Sequence, residues 1–308
     1  MHIDIGIALA GFIVGIVVGL TGMGGGALMT PILVIGFGIE PLAAVSSDLV
    51  AAVFMKPIGG GIHFRRGTVH TGLVKWLALG SVPGALIGSY VVSHLSGDVG
   101  DLIKTILGVV LLIAAVAMVV RGYLSRHRVA GVEGAAAERV PVRRAATLAV
   151  GLVGGTIVGM TSVGSGSLMI VALMLLYPTL SSRELVGTDL VQAVPLVLAA
   201  AIGHLIWGEF EVGLTSSLLI GSIPGVIIGA HISSRAPDRI IRPILVLVLA
   251  LTGLKLLDVP NEVLGGILAG AIIAALATWF VRQRRGRAPE GARPATPVAS
   301  ASPGSTPD

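Results

Sequence analysis

The 308-residue chain contains no cysteine, which excludes disulfides, thiolate nucleophiles and cysteine metal sites. Charge is also scarce. Lys, Arg, Asp and Glu together make up 12% of the residues, about half the roughly 25% of a soluble domain. No G-x-x-x-x-G-K-[ST] run occurs, so ATP is not bound through a P-loop. Neither H-E-x-x-H nor G-x-S-x-G is present, and the seven histidines are scattered without metal-ligand spacing. With no energy-coupling domain, any transport has to run on gradients.

What is present is apolar. Hydrophobic residues reach 54%, mean hydropathy is +0.95, and 44 residues are glycine. Too little polar surface remains to cover a water-soluble globule. The chain therefore reads as an all-α polytopic membrane protein, and disorder, a nucleic-acid module and a disulfide-rich secreted scaffold are excluded. The net charge of +5 is concentrated in two places. Residues 121–144 carry six arginines against Glu133 and Glu138, and residues 282–308 carry five against Glu290 and Asp308. Such clustering marks orientation in a membrane rather than a nucleic-acid surface. The N-terminal MHIDIGIALAG lacks the basic start of a signal peptide, so the first apolar segment is expected to be retained.

Apolar runs long enough to cross about 30 Å of hydrocarbon cover 5–38, 42–62, 73–92 and 102–120, then 145–177, 185–207, 214–232, 240–257 and 263–281. The two series repeat each other. VGLTGMGGGALM at 18–29 matches VGMTSVGSGSLM at 158–169, an offset of 140 residues. After a one-residue slip the offset is 141, pairing Asp48 with Asp189, His63 with His204, and GSVPGALIG at 80–88 with GSIPGVIIG at 221–229. A register held this long indicates duplication. The expected domains are a membrane repeat at 5–120, a basic cytoplasmic loop at 121–144, a second repeat at 145–257, an extra C-terminal span at 260–282 and a disordered tail at 283–308.

The positive-inside rule predicts that the repeats are inverted. With the basic loop in the cytoplasm, Arg65 and Arg66 lie inside and Asp98 and Asp101 outside. Glu209 and Glu211 then lie outside, and Arg235, Arg239 and Arg242 inside. This assignment requires each long first segment to enter and leave on one side. Each repeat is therefore expected to be three spans plus a hairpin of short helices broken at its glycines.

Those breaks, Gly22-Met-Gly-Gly-Gly26 and Ser162-Val-Gly-Ser-Gly166, are the candidate site. Glycine lets backbone approach a ligand closely. Unwound backbone survives in a bilayer only where protein or a cavity supplies hydrogen-bond partners. Transporters with inverted repeats bind substrates at such breaks, where N–H groups at a half-helix start attract anions. The expected substrate-binding residues are Thr21, Gly22, Gly24, Gly25 and Gly26 in the first half, and Thr161, Ser162, Gly164, Ser165 and Gly166 in the second. Lys56 joins them as the only lysine deep in an apolar run. A charge there costs about 3 kcal/mol, so Lys56 reads as the partner of an anionic substrate, as half of a structural ion pair with Asp48, or as a neutral lysine lining a wet cavity. The equivalent residue, Val197, is apolar. Asp48 and Asp189 read either as helix caps or as gating and proton-coupling groups. His63 and His204 read either as hydrogen-bonded interfacial histidines or as a proton relay. Gly11/Gly15/Gly19, Gly151/Gly155/Gly159, Gly80/Gly84/Gly88 and Gly221/Gly225/Gly229 read as close-packing faces.

The GLTGMGGG run, its copy GMTSVGSGS and the paired GSVPGALIG and GSIPGVIIG resemble the TauE/SafE family of sulfite and organosulfonate exporters. The likeness spans roughly residues 8–257. It implies a bacterial inner-membrane permease with no cofactor and no metal, whose signature falls on Thr21–Gly26 and Thr161–Gly166. The implied cargo is a small sulfur-containing anion, sulfite, sulfoacetate or another organosulfonate, moved outward by ion or potential gradients. Alternatives are another small anion or acid, importing or proton-coupled, an intramembrane enzyme using Asp48 and Asp189, or a scaffold recruiting partners through the basic tail. The expected partners are the anion and the lipid bilayer, with no nucleic acid, in a monomer or homodimer.

Overall fold

The computed structural model describes residues 3–21, 25–95, 99–127, 140–232 and 238–271, and these are almost entirely helical. Among the described residues six helices are long and apolar enough to cross a membrane, as expected where backbone groups find no water and must bond within their own segment.

The first half comprises α1 (Ile5–Thr21), α2 (Gly26–Pro31), α3 (Pro41–Arg65), α4 (Thr71–Ser93) and α5 (Val99–His127). The second comprises α6 (Arg144–Thr161), α7 (Leu168–Leu176), α8 (Ser182–Trp207), α9 (Val212–Ile232) and α10 (Asp238–Leu256). The second long segment is thus two helices with a glycine-rich break between them, and the first is two helices on either side of residues 22–24, which lie outside the described residues. Past Pro31, which has no N–H to give, α2 widens into a π-helical turn over Ile32–Gly36. Helix α5 runs to His127, so Arg121 sits on a helix and not in the basic loop expected from residue 121. Most of that loop, the end of the extra span from 272 and the tail lie outside the described residues. Residues 261–271, where the extra span was expected to begin, are helical.

Local chemistry sets the helix starts. Glu40 accepts from the Leu42 and Ala43 amides at 2.7 and 3.2 Å, with Pro41 in the first turn of α3. Ser181 and Glu184 close a reciprocal capping box on α8. Asp48 and Asp189 therefore lie about two turns inside their helices and cap neither. Both are fully buried.

The halves interleave. Helix α1 packs along α9, and its repeat counterpart α6 packs along α4; α3 meets α8 and α5 meets α10. Exchanging the halves maps this set of contacts onto itself. Glycine makes the approach possible. A Cβ on Gly15 would lie 2.6 Å from the Ser222 carbonyl oxygen, and one on Gly155 2.6 Å from Ser81 Cα. On the facing helices, Gly225 leaves room for the Phe12 carbonyl and Gly84 for that of Leu152. All four glycine series predicted as packing faces are used in this way. Where α5 meets α10, Gly108 and Gly253 each face the other's carbonyl.

Candidate functional site

The second break is visible residue by residue. Thr161 Oγ1 donates to Ile157 O at 2.7 Å and accepts from the Val163 amide at 3.1 Å, closing the end of α6. Ser162 then takes a left-handed conformation with φ 58°, and Gly164 and Gly166 follow at φ 126° and 92°. A non-glycine residue in that region costs roughly 1–2 kcal/mol, so something must hold Ser162 there. Its partner is Asp48: Ser162 Oγ donates to Asp48 Oδ2 at 2.5 Å, and Thr30 Oγ1 donates to the same oxygen at 3.3 Å.

In the first break, Thr21 Oγ1 donates to Val17 O at 2.8 Å, inside its own helix. Gly22 and Gly24 lie outside the described residues. Gly25 and Gly26 bring the start of α2 against the second break, where any side chain on Gly26 would run into the Ser162 carbonyl. The two breaks therefore abut at Gly26 and Ser162, one contributed by each half.

Charged groups from three helices converge on the junction. Lys56, on α3, is buried and donates through Nζ to Ser165 Oγ at 2.8 Å, 109 residues further along the chain. Nine residues separate it from Arg65, a rise of roughly 13 Å, so the break lies near the middle of α3. Asp189, on α8, accepts from the Gln192 amide at 3.4 Å and lies close to the Gly166 backbone. Arg121, on α5, donates to Gly166 O at 3.1 Å and lies within electrostatic reach of Asp189. Lys56 is within electrostatic reach of both carboxylates, yet among the described residues it forms an ion pair with neither. Asp48 Oδ1 and Asp189 Oδ2 are buried without a hydrogen-bond partner among the described residues.

Beside Lys56 is a cavity of about 40 Å³, walled by Val18, Gly25, Met55, Leu190 and Val226 among others. It has room for roughly three waters, and Lys56 is the charged group in its wall.

The junction thus joins Gly25, Gly26, Lys56, Asp48, Ser162, Ser165, Gly166 and Asp189 from the expected set. The hydroxyls of Thr21 and Thr161 bond within their own helix ends. The histidines lie elsewhere. His204 bridges Ser46 Oγ at 2.8 Å and Gly159 O at 2.7 Å, tying α8 to α3 and α6. His63, half-buried, meets Thr68 Oγ1 at 3.0 Å. Three residues at the junction escaped the sequence reading: Thr30, Arg121 and Gln192. Gln192 also accepts from Ser81 Oγ at 3.0 Å. A lone glutamine inside an apolar run was a signal comparable to Lys56. Arg121 gave none, because it opens a basic cluster.

The family described as "Sulfite exporter TauE/SafE" matches residues 7–256. The Bacillus subtilis (strain 168) protein named "Probable membrane transporter protein YjnA" is 39% identical over 261 residues, covering 82% of this chain and 100% of that protein. "Probable membrane transporter protein YdhB" from the same organism is 26% identical over 255 residues, covering 82% of this chain and 99% of its own length. No solved structure matches the chain at a significant level.

Proposed function

The chain belongs to the TauE/SafE sulfite exporter family, and from that premise we propose that it is a permease for a small sulfur-containing anion, moved outward by ion or potential gradients. The chain is a multi-pass helical membrane transporter; the anion, the direction and the site are the proposal. One observation carries it: Lys56 is buried at mid-helix and bonds to Ser165 in the broken segment of the opposite half. A buried cation with no ion pair beside a small cavity is suited to a transient anionic partner. The Ser162 and Ser165 hydroxyls lie at the same junction, and Gly25 leaves its part of the cavity wall free of a side chain. A cavity of about 40 Å³ fits an oxyanion or a sulfonate head better than a bulky organic acid. The proposed setting is the bacterial inner membrane, with the 121–144 loop and the tail in the cytoplasm and the two repeats inverted.

The test is flux in proteoliposomes at an imposed potential, with sulfite, sulfoacetate and chloride compared for wild type and Lys56→Ala. Sulfur-anion flux that falls at least tenfold in the variant supports the reading. Flux that ignores the substitution removes Lys56 from the path, and chloride carried as well as sulfite removes the sulfur selectivity.

A further inference from the structure

The donors that an incoming anion needs at the break are already held by the protein's own carboxylates. Ser162 and Thr30 donate to Asp48, and Gln192 donates to Asp189. Among the described residues the junction's charges also balance, with Asp48 and Asp189 facing Lys56, and Arg121 reaching Asp189. An anion entering this buried site leaves it with a net negative charge, and also has to compete with the carboxylates for the same hydrogen bonds. Discharging one carboxylate resolves both difficulties at once.

Asp48 is the better placed of the two. Among the described residues it is faced by one cation, Lys56, whereas Asp189 is faced by both Lys56 and Arg121. Among the described residues its Oδ1 has no hydrogen-bond partner, and it is buried facing Gly25, where an added Cβ would lie 3.5 Å away; Gly25 lines the cavity beside Lys56. Of the elements around it, α8 brings Asp189 and His204, whose nitrogens are engaged by Gly159 and by Ser46, two residues before Asp48. Helix α5 brings Arg121, while α2 and the 162–167 segment bring no titratable group, and on α9 the one titratable side chain, His231, is exposed.

We propose that Asp48 takes up one proton with each monovalent anion, so that anion and proton cross together. A proton from water forms an O–H bond at Oδ1. The discharged carboxyl releases the Ser162 hydroxyl to the anion, and on the other side the O–H bond breaks and the proton returns to water. No bond of the anion changes. A sodium ion fits this place less well, because it needs several oxygens and the Met55 methyl borders Gly25 there. The proposal rests on the permease reading and replaces the membrane potential with the anion and proton gradients as the driving force.

The test uses the full chain in liposomes loaded with a pH dye. The probe is isethionate, a sulfonate that stays ionised at working pH, so any proton that moves with it is carried by the protein. The expected result is one proton per isethionate and a rate unchanged when a potassium–valinomycin potential is imposed. Asp48→Asn is expected to carry isethionate without the dye response and at a rate that follows the potential, and Asp48→Glu to restore coupling. Wild-type flux that follows the potential with no dye response overturns the coupling and leaves the permease; this arm stands even if Asp48→Asn does not fold. Sodium-dependent flux, or coupling that persists in Asp48→Asn, overturns the role of Asp48. No flux of any anion overturns this proposal together with the permease reading.

Discussion

Ser162 donates a hydrogen bond to Asp48 across 114 residues of sequence, fastening the break of one half to the core helix of the other. The serine holds a backbone conformation that favours glycine, and glycine occupies the equivalent position 22 in the first half.

Ser162→Ala is therefore expected to destabilise the protein by about 1.5–3 kcal/mol, the value of a hydrogen bond to a charged group. Ser162→Gly loses the same bond but relieves roughly 1–2 kcal/mol of left-handed strain, so it should melt between the two. Thermal unfolding in detergent micelles reads the order. Alanine and wild type melting together would remove the bond from any structural role.

Gly155→Ala puts a methyl group 2.6 Å from Ser81 Cα at the α4–α6 contact, an overpacking cost of about 1–3 kcal/mol. Gly61→Ala, on α3, has open space around it and should be neutral or slightly stabilising, since alanine is the better helix former by about 1 kcal/mol. Comparable melting of the two variants would contradict the close helix contact.

Arg121→Gln keeps a donor near Gly166 but removes a positive charge beside Asp189. An anion flux lower by about tenfold is expected, corresponding to roughly 1.4 kcal/mol, while the melting temperature changes little. The rate of isethionate uptake at a concentration well below saturation is the measurement, and an unaltered rate would confine Arg121 to the helix end.

The absence of cysteine makes orientation directly measurable. Arg66→Cys and Glu211→Cys, both at exposed positions, should react with a membrane-impermeant maleimide from opposite sides, Arg66→Cys from the cytoplasm. Labelling of both from one side would rule out the inverted arrangement.

Much of the helical layout was legible in the sequence, because a bilayer allows few alternatives to a helix and a repeat states its own boundaries. The break at 162–166 was legible because a glycine and serine run interrupts a long apolar stretch. Lys56 stood out because a charge in such a stretch is costly. Asp48 and Asp189 were harder to read. Each follows a small polar residue, as a cap does, but the helices begin earlier, at Pro41 and Ser182. The partners of the breaks were not legible at all, since the Ser162–Asp48 and Lys56–Ser165 contacts come from packing between halves, which no local pattern encodes.

The interleaving of the halves also constrains the order of synthesis. Helix α1 leaves the ribosome with its glycine face bare, and its partner α9 begins about 190 residues later, some 10–40 s at 5–20 residues per second. Helix α4 waits less, since α6 follows within about fifty residues. A nascent chain arrested after α5 thus presents two open glycine seams to the lipid or to insertion chaperones. The two halves, made as separate polypeptides, would each have to find the other before either could settle.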